Sequence, residues 1–120
     1  MWSRDTEANL TEANLAGTNM RLANLTAAQI ANADIRWANL RRANLTRARL
    51  YKSDLSESDL SESILIGAYT TDAALAGANM SGAILIGAYI TDADLAGANM
   101  SGAILTGADL NTADLTGHIS

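Results

Sequence analysis

The sequence predicts an all-β solenoid of square cross-section, and three observations predict it. Every fifth residue from Leu10 to Leu115 is Leu, Ile or Met, with Thr70 the sole exception. The residue two places earlier is always small, Ala except for Thr18, Ser53, Ser58 and Ser63. Residues 66–85 and 86–105 match at 18 of 20 positions, differing only at Thr70/Ile90 and Ala74/Asp94. A helix repeats every 3.6 residues and a strand every two, so a five-residue period fits neither. It fits a chain that runs extended for about three residues and then turns a corner. The 20-residue echo groups these units in fours, which gives four corners to a coil.

Taken in chain order, residues 1–7 are a lead-in, with Trp2 placed to fold over the first coil as a partial cap. Residues 8–117 form 22 consecutive five-residue units. All nine glycines (17, 67, 77, 82, 87, 97, 102, 107 and 117) fall two places after the apolar position, the phase at which a turn needing positive φ would select them. The chain has no proline. The phrase Leu-Ala-Gly-(Thr/Ala)-Asn-Met recurs at 15–20, 75–80 and 95–100, at spacings that are multiples of 20, so the coil phase holds throughout. Residues 118–120 are a tail, since His118 occupies the small position and the pattern is expected to lapse there.

The units Ala8-Asn9-Leu10, Ala13-Asn14-Leu15, Ala43-Asn44-Leu45 and Ala93-Asp94-Leu95 resemble the pentapeptide-repeat family, whose units read Ala-(Asn/Asp)-Leu-x-x. The resemblance covers roughly nine-tenths of the chain. It implies a right-handed quadrilateral β-helix of about 5.5 coils without loop insertions, its Leu and Ala positions pointing inward.

Composition narrows the function classes. No cysteine is present, and the single histidine is His118, so disulfides, thiolate metal sites and histidine-based catalytic pairs have no residues to form them. No phosphate-binding loop or nucleophile–base pair is evident, and no enzyme activity, cofactor or metal is expected. No run approaches the roughly 18 apolar residues of a membrane span, and the start of the chain lacks a signal-peptide pattern. A cytoplasmic protein without membrane contact is expected. Net charge is −5, unevenly spread: residues 1–52 carry +4 and residues 53–120 carry −9. Such asymmetry bears on association rather than on fold.

With the phase fixed, outward residues sort into columns spaced by 20. Ile64, Ile84 and Ile104 form one column, Ile66 and Ile86 its neighbour, and Tyr69 and Tyr89 lie around the next corner. These seven are the candidate interface. Two readings are open: ladders that stabilise neighbouring coils, or a protein–protein surface such as a symmetric homodimer. Asp34, Asp54, Asp94 and Asp114 share another column, with Asp72 and Asp92 adjacent, and these six are the candidate acidic face. A solvated face that keeps the rod soluble is expected, because the glycine-aspartate calcium motif of other β-rolls is missing. Arg36, Arg41, Arg42, Arg47, Arg49 and Lys52, interleaved with Trp37 and Tyr51, emerge on several faces. They read as a band pairing with nearby acids, and direct nucleic-acid binding is not expected. Asn9, Asn14, Asn19, Asn24, Asn39 and Asn44 precede the apolar position and are expected to hydrogen-bond near turns.

The expected function is a structural or protein–protein interaction module of unassigned role, its partner not specified by the sequence. Resemblance to the family implies an alternative, because some members protect DNA gyrase by presenting an acidic rod that resembles B-form DNA. On that reading the chain is an acidic DNA mimic binding gyrase or another DNA-binding protein. Those relatives are typically longer, often carry Phe at the central inward position and dimerise through a C-terminal helix. This chain has no Phe and shows no such helix.

Overall fold

The computed structural model describes residues 7–119. Trp2, the expected N-terminal cap, lies outside the described residues. The backbone climbs by parallel bridges that join each residue before an apolar position to its equivalent 20 residues on, from Asn9 with Gln29 to Asn99 with Ile119. One coil is therefore 20 residues, as the echo at 66–105 predicts.

Each five-residue unit makes one turn. The amide of every small residue donates back to the carbonyl of the preceding apolar residue, as in Ala13 to Leu10 at 3.0 Å and Ala78 to Leu75 at 3.0 Å. The turn's third residue has positive φ. Glycine holds this place nine times, with φ between 64° and 71°. Thirteen other residues adopt the same conformation, among them Leu22, Trp37, Arg42, Glu62 and Asp92. A left-handed conformation costs a residue with a Cβ about 1–2 kcal/mol. Coil-to-coil bonding offsets it at all of them but Thr112 in the last coil, because the amide of that same residue donates to the next coil, as in Glu12 to Ala31 at 2.9 Å and Glu62 to Ser81 at 2.8 Å. Glycine marks the turn in the sequence, but coil stacking holds it at positions where glycine is missing.

The core is a column of large side chains flanked by small ones. Ile30, Ile35, Leu40, Leu45, Leu50, Leu55, Leu60 and Leu65 are fully buried, and so are their counterparts Leu75, Met80, Leu85 and Ile90. Ala28, Ala43, Ala68, Ala78, Ala88 and Ala98 are fully buried beside them. Where the small residue is Ser, a hydroxymethyl group stands in place of alanine's methyl without leaving a polar atom orphaned: Ser53, Ser58 and Ser63 donate to the carbonyls of Leu50, Leu55 and Leu60 at 2.6–2.7 Å. Thr70, the one polar residue in the apolar column, is buried with its hydroxyl on the Tyr89 carbonyl at 3.0 Å. Burial weakens at both ends, where Leu10, Leu15 and Met20, and then Leu105, Leu110 and Leu115, are only partly covered.

Two findings differ from the sequence-based expectation. Backbone pairing runs past Gly117: Ile119 donates to Ala98 at 2.9 Å, while the amide of His118 closes one more turn on Leu115 at 3.1 Å. His118 is exposed, with Nδ1 2.9 Å from the same Leu115 carbonyl, so its ring turns out of the core while the backbone keeps the pattern. Ser61, at an outward phase, is nearly covered, with its hydroxyl on Asp59 at 2.6 Å.

Candidate functional site

The residue before each apolar position decides what a face presents. Wherever it is Asn or Asp, its Oδ1 accepts the amide two residues on and caps the turn. Asn9, Asn14, Asn19, Asn24, Asn39, Asn44, Asn79 and Asn99 do so at 3.0–3.2 Å. Asp34, Asp54, Asp59, Asp94, Asp109 and Asp114 do the same at 2.9–3.2 Å. This is the local bond that makes Asn and Asp turn residues. The acidic column of Asp34, Asp54, Asp94 and Asp114 is thus built by the same bond as the asparagine columns. Asp72 and Asp92 differ, sitting exposed at positive-φ corners. Asp92 accepts the hydroxyl of Thr112 from the neighbouring coil. Among the described residues no group of three or more acids and histidines is placed to hold a metal.

Eight turns, counted to Leu115, lack this cap because the residue is Gln29, Arg49, Ile64, Tyr69, Ala74, Ile84, Tyr89 or Ile104. Five of the eight are candidate-interface residues in two neighbouring columns. An isoleucine or tyrosine ring offers no acceptor to that amide, so each such turn forgoes a bond worth about 1 kcal/mol. The ladders themselves are as the sequence predicts: Ile64 pairs with Ile84 and Ile84 with Ile104, and Tyr69 pairs with Tyr89. The Tyr69 and Tyr89 rings stack 4.9 Å apart and nearly parallel. Tyr51 extends the stack at 5.5 Å from Tyr69, a contact that its place in the basic run conceals. Burial raises the Tyr51 pKa above its ordinary value.

The seven candidate residues are not equally available. Ile66, Ile86, Tyr89 and Ile104 are 38–45% exposed. Ile64, Ile84 and Tyr69 are half-buried. Three further apolar side chains stand out elsewhere, Leu22 at 60%, Trp37 at 59% and Ile119 at 55%. Leu22 and Trp37 sit at positive-φ corners, which throw their side chains outward.

The basic band divides in two. Arg36 forms a two-point pair with Asp34 at 2.8 Å and lies over the Trp37 ring at 5.0 Å. Arg41 and Arg42 share Glu62 at 3.1 and 3.0 Å. Arg47, Arg49 and Lys52 are exposed and form no ion pair among the described residues. Hydrogen bonds from Arg36 hold the Asp34 carboxyl at about 2, well below its ordinary 3.8. Bonding to Arg42 and the charge of both arginines lower Glu62, and the Thr116 hydroxyl lowers Asp114. A depressed carboxylate pKa contributes stability above the unfolded value and loses it as pH falls, here between about 4 and 2. Arg36→Gln is expected to raise the Asp34 midpoint from about 2 only part of the way to 3.8, because the backbone amide of residue 36 still donates to it, read by NMR titration of its carboxyl carbon. An unmoved midpoint would contradict the pairing.

The sequence model described as pentapeptide repeats matches eight copies over residues 6–42, 43–82, 71–107 and 83–117. No curated protein sequence matches the chain. Among solved structures, a pentapeptide repeat protein of the Arabidopsis thaliana thylakoid lumen is 28% identical with a TM-score of 0.64, over 92% of this chain and 71% of that one. HetL, involved in heterocyst differentiation regulation in the cyanobacterium Nostoc sp. strain PCC 7120, is 32% identical with a TM-score of 0.55, over 93% of this chain and 61% of its own. QnrB1, a plasmid-mediated fluoroquinolone resistance protein, shares the fold at a TM-score of 0.78 and 19% identity, over 93% of this chain and 59% of its own. The chain thus spans only about three-fifths of the last two. No helix among the described residues is long and apolar enough to cross a membrane.

Proposed function

The chain belongs to the pentapeptide-repeat family, and on that premise we propose that it is a non-enzymatic protein–protein interaction module whose contact surface is the Ile/Tyr strip. The reading takes the coil as right-handed and about 5.5 turns long, supported by the 20-residue pairing and by the solved relatives. One observation carries it. The turn cap supplied by Asn or Asp elsewhere is given up at Ile64, Tyr69, Ile84, Tyr89 and Ile104, all in adjoining columns. Cross-coil stacking recovers part of that loss, about 0.2–1 kcal/mol per pair. It does not explain why Ile66, Ile86, Tyr89 and Ile104 should remain 38–45% exposed. A surface that meets a partner explains both.

The carboxylates weigh against the alternative of an acidic DNA mimic acting on gyrase. Asp34, Asp54, Asp94 and Asp114 are accounted for by turn capping, as the asparagines are. The interaction reading is tested by immobilising the wild-type chain and an Ile86→Asp/Tyr89→Asp variant and comparing what each retains from an extract of the source cells. Wild type is expected to hold one or more proteins, another copy of itself included, that the variant loses. Identical retention by both would remove the strip as the contact surface.

A further inference from the structure

Two of the strip's three columns are self-complementary when reversed end to end; the third, Asn44, Ile64, Ile84, Ile104, sets Asn44 opposite Ile104 and stays outside the pairing. The tyrosine column runs Arg49, Tyr69, Tyr89, Asp109, each paired with the next by a parallel bridge. Reversed end to end against itself, it places Arg49 opposite Asp109 and Tyr69 opposite Tyr89. The column at the adjoining corner runs Thr46, Ile66, Ile86, Thr106, joined coil to coil through the amides of Arg47, Gly67 and Gly87 at 2.9 Å. Reversal sets Thr46 opposite Thr106 and Ile66 opposite Ile86. Both columns share one midpoint along the rod, so a single two-fold axis lying across it satisfies both. Between them the corner column is Arg47, Gly67, Gly87, Gly107. Its bare glycines bring backbone to the surface and let a facing rod approach.

We propose that two copies of the chain pair antiparallel through these columns, forming an isologous dimer with an apolar centre and an Arg49–Asp109 pair at each end. The inference rests on the reading of the Ile/Tyr strip as an interface and adds its occupant and register. Three observations independent of apolar exposure support it. Arg49 and Asp109 are both exposed, and neither forms an ion pair among the described residues. The chain is polarised, +4 over residues 1–52 and −9 over residues 53–120, which opposes parallel and favours antiparallel association. A two-fold interface demands self-complementarity, which these two columns have. The far corner column, Lys52, Asp72, Asp92, Thr112, would set Asp72 opposite Asp92. The contact is therefore centred on the Ile66 side of the tyrosines, and that corner stays in solvent.

A charge swap tests partner and register together. Arg49→Asp and Asp109→Arg each set like charges opposite each other at both ends of the dimer. Each alone is expected to weaken self-association at least about tenfold in sedimentation equilibrium. Mixed together, the two variants restore opposite charges at both ends, so the mixture is expected to associate within about threefold of wild type. The double variant is expected to do the same by itself. Thermal melting shows that each variant is folded, and arginine already stands at this phase in Arg49. A wild-type chain that is monomeric at about 100 µM overturns the pairing. Dimers unaffected by either single change, or mixtures that fail to recover, overturn the register. If wild type is monomeric while Ile86→Asp/Tyr89→Asp still abolishes capture of another protein, the dimer falls and the interaction reading stands.

Discussion

Ala78→Leu is expected to lower unfolding stability by about 3 kcal/mol, the upper end of the overpacking range. Ala78 is 0% exposed, with Ser58 and Ala98 in its column at 1% and 0%. Its amide closes the turn on Leu75 at 3.0 Å and its carbonyl accepts Asn99 at 2.9 Å. The backbone is therefore bonded on both sides and cannot retreat to admit three more carbons. Ser81→Leu, three residues on, adds a longer side chain at a partly open turn position, where the expected change is within about 0.5 kcal/mol. Urea denaturation of the two variants measures the contrast. Equal losses would contradict the assignment of inward and outward positions.

Deleting Thr91, Asp92 and Ala93 is expected to have the largest effect of all, unfolding everything after Ile90. Without them Leu95, Met100, Leu105, Leu110 and Leu115 move to the positive-φ corner phase, and Ala98, Ala103, Ala108 and Ala113 take the central inward position. The C-terminal coils would then carry leucines in water around a core of methyl groups. Each leucine removed from burial forfeits about 2 kcal/mol. Amide hydrogen exchange is expected to lose its protection from residue 94 onward while coils before Leu85 keep theirs. Retained protection in both halves would show that coil stacking, rather than the five-residue phase, selects what goes inside.

Much of this was legible in the sequence because the inward positions obey one rule without interruption. Period five with small residues two places ahead gave the turn, and the near-copy at 66–105 gave the four-unit coil. The columns followed by counting, so Ile64 over Ile84 and Tyr69 over Tyr89 could be named without coordinates. What counting could not supply is how far each outward side chain leans on its neighbours. Tyr69 is half-buried because Tyr51 and Tyr89 stack on its two sides, whereas Tyr89, at the end of that stack, is 45% exposed. Nor does a lone corner residue announce its conformation: Trp37 and Leu22 are exposed because the backbone there is left-handed, which only glycine signals by its identity. The acids were legible as a column, but their role was not. Asp and Asn differ in charge and share Oδ1, and the turn uses the oxygen.

Removing residues 86–105, one whole coil, tests the central claim most directly. The cut joins Leu85 to Thr106 and leaves every later residue at its own phase and over its own column, with Tyr69 above Asp109 and Ala74 above Asp114. The shortened chain is expected to unfold in one cooperative transition. Small-angle scattering is expected to show a rod shorter by about 4.8 Å, one strand spacing. A chain as disordered as the three-residue deletion would contradict the 20-residue coil and, with it, every face assigned from it.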